Sequence, residues 1–130
     1  MELDTYSLKK LLKHLFRSVM LSGRPNWKAA FNSLCAYASV NHLHWHLYYM
    51  TPNFQLPIET CSAKLIDESC YEFTDYSAKG FAFQVESVED IGKIANKIYS
   101  IAKLFCDMNI AHNVFITRGK RFENSNLGYV

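Results

Sequence analysis

Between residues 42 and 47 the chain alternates histidine with large apolar residues, His42-Leu43-His44-Trp45-His46-Leu47, and Tyr48 and Tyr49 follow directly. A period of two belongs to the β-strand, where successive side chains point to opposite faces. The alternation predicts a strand over residues 40–50, ended by Thr51-Pro52-Asn53. His42, His44 and His46 then share one face, and Leu43, Trp45 and Leu47 share the other. The apolar set is placed to pack on a core, which turns the imidazoles toward a cleft or solvent. Three of the five histidines of the chain stand in this one pattern.

The rest of the chain supplies what such a strand needs. Its 130 residues suit one domain, residues 1–130, and are enough to bury a real core. Apolar residues make up 49% and aromatics 15%, which excludes an intrinsically disordered chain. The stretch Leu8, Leu11, Leu12, Leu15, Phe16 and Val19 recurs at helical spacing. Asp4 or Ser7 is placed to cap it and Ser22-Gly23-Arg24-Pro25 to stop it. Lys9, Lys10, Lys13, His14 and Arg17 form its solvated face. A strand is expected over residues 27–34, paired antiparallel with the histidine strand because neighbours in sequence usually pair. Residues 51–79 read as a long irregular connection with room for one short strand or helix turn, and residues 79–85 as a strand. Ser87-Val88-Glu89-Asp90 reads as a capping-box start for a second helix, whose stripe is Ile91, Ile94, Ala95, Ile98, Ile101, Ala102 and Phe105. A last strand is expected over residues 114–117. The fold class is α+β, an antiparallel sheet carrying the histidine strand with two helices packed on it.

A net charge of +2 is too mild to predict a nucleic-acid partner. No apolar run approaches the roughly 20 residues that cross a bilayer, so no membrane role is expected. Residues 1–10 carry Glu2 and Asp4 and no apolar signal-peptide core, which predicts a cytoplasmic protein. Cys35, Cys61, Cys70 and Cys106 form no C-x-x-C pair and fit no zinc spacing, so they are expected as reduced thiols.

Three uses of the histidine row compete. A metal is one: zinc binds imidazole nitrogen at about 2.0–2.1 Å, but same-face residues step by roughly 6.8 Å along a strand. Two of the three can lean onto one ion, and the further ligands would have to come from elsewhere. A half-exposed row with no task is the second use. Nucleophilic catalysis at phosphorus is the third, since neutral imidazole is a good nucleophile near pH 7. Flanking histidines can then supply charge and a proton. The central one, His44, is the natural nucleophile because it alone has a neighbour on both sides. His112 is a candidate substrate contact at the mouth of the sheet, or simply a loop histidine at a strand start. Arg118 and Lys120 are candidates for phosphate binding, but read first as surface charge.

His42-Leu43-His44-Trp45-His46-Leu47-Tyr48 resembles the histidine-triad pattern, His-φ-His-φ-His-φ-φ with φ apolar. Phe31-Asn32-Ser33-Leu34, Ala36-Tyr37-Ala38-Ser39-Val40-Asn41, Leu56-Pro57-Ile58-Glu59, Lys79-Gly80-Phe81-Ala82-Phe83 and His112-Asn113-Val114-Phe115-Ile116 are similar to the GDP-D-glucose phosphorylase branch of that superfamily, which is related to plant GDP-L-galactose phosphorylase. The resemblance implies a histidine-triad-like antiparallel sheet. It also implies phosphorolysis of a GDP-hexose, GDP-D-glucose, by inorganic phosphate through a covalent guanylyl-histidine. Carried over by motif position, His44 attacks the α-phosphorus, His42 orients His44 through its carbonyl, and His46 binds the α-phosphate or the leaving oxygen. Asn32 and Ser39 match positions that contact the α-phosphate. No cofactor and no metal is implied. The family is longer, so the chain is expected to lack its N-terminal portion and last C-terminal strands. His46 stands where transferases of this kind often carry Gln and hydrolases His, which leaves phosphate or water open as the acceptor. Tyr48-Tyr49, in place of the glycines usual in small hydrolases, argues against water. A nucleotide-binding or interaction domain without turnover is the alternative. The resemblance is silent on oligomeric state.

Overall fold

The computed structural model describes residues 5–33, 36–38 and 44–122. Its elements run α1 (Thr5–Leu21), β1 (Trp27–Asn32), β2 (His46–Tyr49), α2 (Pro57–Thr60), β3 (Ala63–Asp67), β4 (Cys70–Phe73), β5 (Phe81–Phe83), α3 (Ile91–Asp107) and β6 (Asn113–Ile116). The fold is α+β as expected, but the described strands form two antiparallel sheets rather than one. The first has the order β2-β1-β6 and the second β3-β4-β5.

The two long helices follow their stripes. Leu12, Leu15, Phe16 and Val19 of α1 meet Ile91, Ile94, Ala95 and Tyr99 of α3 in one core, closed by Ala29 of β1 and Ile116 of β6. Full burial of each large aliphatic side chain there stabilises by about 1.5–3 kcal/mol. Gly23, at φ +66°, breaks α1 with a left-handed turn that costs a glycine little. The Ser22 hydroxyl donates to the Val19 carbonyl at 3.0 Å. Arg118, expected as surface charge, donates instead to the Val19 and Met20 carbonyls and so satisfies the last turn of α1. The Ser87-to-Asp90 box closes the turn before α3, with the Ser87 hydroxyl on Asp90 Oδ2 at 2.8 Å, and the helix itself begins three residues later than the box predicts.

Residues 51–79 differ most from expectation. They hold α2, a single helix turn of the kind allowed for, and in addition the β3–β4 hairpin, which was not expected. Two causes hid the hairpin. Its turn is Glu68-Ser69, with Ser69 at φ 58° and no glycine to announce it. Its sheet is also largely solvated, with Ile66 and Phe81 exposed, so apolar alternation does not mark the strands.

Leu47 was expected in the core and is instead 51% exposed, whereas Trp45 does pack there. The sheet order explains the difference. Helix α1 covers β1 and β6, and β2 is the outer strand beyond it.

Burial pushes the Cys61 thiol up, helped by the nearby Asp75 carboxylate, and burial pushes the Cys70 thiol up as well. Cys106 lies exposed on α3. Mass-mapped maleimide labelling should therefore modify Cys106 well before Cys61 and Cys70, which react fully only on unfolding. Equal rates at all three would contradict this packing.

Candidate active site

β1 pairs Ala30 with His46 and Lys28 with Tyr48 on one side, and Ala30 with Phe115 and Asn32 with Asn113 on the other. Paired residues of an antiparallel ladder share a face. Lys28, Ala30, Asn32, His46, Tyr48, Asn113 and Phe115 therefore lie on the face turned away from the helices. Trp27, Ala29, Val114 and Ile116 lie on the face packed against the core.

β2 begins only at His46, later than the start expected at residue 40, so His44 lies two residues before the strand, yet it stays on the side of His46. The Nε2 atoms of the two rings are 3.1 Å apart and the ring centroids 4.8 Å. A hydrogen bond of that kind needs one ring to donate and the other to accept, so the pair holds one proton between two facing nitrogens. In such a contact the accepting nitrogen's lone pair points at the donor's proton, so the bond must open before that nitrogen can attack another atom. His46 also stacks on Tyr48, at 6.1 Å and 17°. Trp45, between the two histidines in sequence, turns the other way and packs on Phe31 at 5.3 Å. The proximity of His44 and His46 is thus enforced by the burial of the indole between them.

Asn32, at the end of β1, occupies the same face. His42 and Ser39 lie outside the described residues. His112 does not join the pair. It precedes β6, its amide donates to Ser33 Oγ at 3.1 Å, and its ring lies 5.5 Å from Phe105 of α3. Its Nδ1 donates to the Ile110 carbonyl at 2.9 Å.

Below the histidine pair, on the same face, lies a cluster that sequence reasoning missed. Lys28 and Glu59 form an ion pair with only 2% and 5% exposure. Thr117, just past β6, accepts from Lys28 Nζ at 3.1 Å and donates to Glu59 Oε1. The Leu56 amide donates to Glu59 Oε2 at 2.7 Å. Gly119 allows this approach: a Cβ there would stand 3.2 Å from the Glu59 carbonyl oxygen, which also accepts from the Lys120 amide. No signal in the sequence marks the cluster: Lys28 is the second residue of β1, where a charged side chain reads as a solvated strand end.

Burial raises the Glu59 carboxyl, but the hydrogen bonds from Lys28, Thr117 and Leu56 together outweigh it and hold the group below its ordinary value of 4.5. The unfolded chain therefore binds the proton first. The stability Glu59 contributes is present above about pH 4.5 and is lost as the pH falls through the lower folded value. Acid titration followed by circular dichroism should show this component in the native chain and lack it in Glu59→Gln.

Lys28, Asn32, Tyr48, Glu59 and Thr117 line an open cavity of about 1630 Å³ between the first sheet and β5. The two histidine rings are outside its lining, and Tyr48 connects it to them through the stack on His46.

Comparison with known proteins places these residues among relatives. A family model described as "GDPGP1-like, N-terminal domain" matches residues 2–48. GDP-D-glucose phosphorylase 1 of Danio rerio is 39% identical over 117 residues, 85% of this chain and 33% of the relative. The Homo sapiens protein of the same name is 35% identical over 105 residues, 78% of this chain and 27% of the relative. GDP-L-galactose phosphorylase 2 of Arabidopsis thaliana is 30% identical over 103 residues, 75% of this chain and 23% of the relative. The chain thus spans a third or less of the length of these curated relatives. No solved structure matches it significantly.

Proposed function

The chain resembles the GDP-D-glucose phosphorylases over most of its own length, and from that premise we propose that it is a nucleotidyltransferase domain that cleaves a GDP-hexose with inorganic phosphate. Residues 1–130 act in this reading as one histidine-triad-like domain. His44 Nε2 attacks the α-phosphorus of GDP-glucose, an N–P bond forms, and the bridging P–O bond breaks to release glucose 1-phosphate. A phosphate oxygen then attacks the guanylyl-histidine, the N–P bond breaks, and GDP leaves. His46, as the protonated member of the pair, donates to the α-phosphoryl oxygens, where charge builds in the transition state. Asn32 and Ser39 supply further donors to the same oxygens, and the His42 carbonyl holds the tautomer of His44. The two steps balance without a cofactor: glucose 1-phosphate leaves as a phosphate anion in the first, and in the second the His44 imidazole is the leaving group and GDP the product.

The observation that supports this reading is the 3.1 Å contact between His44 and His46 Nε2, which brings the two rings together; in the proposed step substrate opens that contact, so that the His44 lone pair meets the α-phosphorus and the His46 proton turns to its oxygens. The test is incubation with GDP-glucose in the absence of phosphate, followed by peptide mapping. One guanylyl group on His44, discharged to GDP by added phosphate, is the expected result. Discharge to GMP by water alone would assign a hydrolase. Phosphate-dependent turnover with no adduct, or with the adduct on another residue, would overturn the mechanism.

A further inference from the structure

A buried ion pair is a poor device for stability, since removing two charges from water costs several kcal/mol per ion before their attraction is counted. The Lys28–Glu59 pair is nevertheless almost fully enclosed, and Thr117 bonds both partners. Its place in the sheet gives it another consequence. Lys28 stands directly across from Tyr48 on the same face. Tyr48 carries His46 on its ring, and His46 meets His44. Cβ atoms of such cross-strand neighbours lie about 4.5–5.5 Å apart. Glu59 and Thr117 draw the Lys28 ammonium toward β6, away from Tyr48. Without that leash the ammonium seeks water, and Tyr48, 42% exposed, stands on its open side.

We propose that Glu59 and Thr117 are positioning residues for the histidine pair: they hold Lys28 away from Tyr48, so that the Tyr48 ring stays stacked on His46 and His46 stays in register with His44. The inference rests on the reading that these two histidines react. It predicts geometry as well as rate, so the two can fail separately.

The experiment records side-chain ¹⁵N–¹H spectra of His44 and His46 in the intact chain, alongside Glu59→Gln and Thr117→Val. The native pair should show one protonated Nε2 that donates and one unprotonated Nε2 that accepts. Glu59→Gln should lose that pattern, and Thr117→Val, an isosteric change that keeps the ion pair, should shift it in the same direction by less. Tyr48→Leu should reproduce the Glu59→Gln spectrum although it leaves the ion pair intact. In the phosphorolysis assay Glu59→Gln should lower kcat about tenfold or more with KM changed by less than about twofold, the mark of misplacement rather than lost binding. Histidine signals unmoved in Glu59→Gln and Thr117→Val, while melting temperature falls, would reduce the cluster to a structural clasp and overturn the proposal. If Glu59→Gln does not fold, Thr117→Val and Tyr48→Leu decide it. A native chain that turns over no GDP-glucose sinks the proposed function, while the spectra still judge the positioning.

Discussion

A His44→Asn variant loses phosphorolysis by on the order of 10⁴-fold or more, because asparagine offers amide donors and an oxygen where the covalent route needs an imidazole lone pair. The fold should survive. His44 lies in the short extended stretch before β2, half-buried and outside the core that α1 and α3 build on the sheet. Its loss therefore leaves no large apolar cavity, and the melting temperature should stay within a few degrees of the native value. Steady-state rates and a thermal melt on the same preparation check both halves. His46→Asn should cost less, about 10²–10⁴-fold, since a proton donor is removed and the nucleophile remains. Residual activity in His44→Asn close to the native rate would move the reacting atom elsewhere in the molecule.

The second large effect is on stability. Glu59→Ala leaves the Lys28 ammonium buried and uncompensated and takes the acceptor from the Thr117 hydroxyl and the Leu56 amide. Breaking one side of a buried pair costs about 3–5 kcal/mol, a large part of what a domain of this size has in hand. The paired change Lys28→Met with Glu59→Leu removes both charges together and should return most of that loss. Urea unfolding of the single and double variants gives the comparison. A double variant as unstable as Glu59→Ala would show that the cluster stabilises through shape and not through charge balance.

What the sequence disclosed and what it hid follow one physical division. α1 and α3 were legible because a stripe at 3.6-residue spacing repeats over 17 residues in each. β1, β2 and β6 were legible because the sheet they form has one face in the core, which writes alternation into the chain. The solvated β3–β4 hairpin carries no such imprint. Leu47 was misplaced because alternation gives the face of a residue but not the reach of the helix that should cover it. The histidine row announced itself through residue type and spacing. Lys28 and Glu59 did not, since a lone charged residue in a sequence reads as surface and only tertiary contact turns a separation of 31 positions into a hydrogen bond. Arg118 was hidden in the same way, 99 positions from the carbonyl it caps.

The ladder of the first sheet has a kinetic corollary. β1 bonds to both β2 and β6, and the second pairing joins Ala29 to Ile116 across most of the chain. Long-range pairing of this sort raises contact order and slows folding. During synthesis β2 leaves the ribosome well before its scaffold can be completed, so the nascent chain carries His46 in an unfinished sheet until β6 emerges and docks.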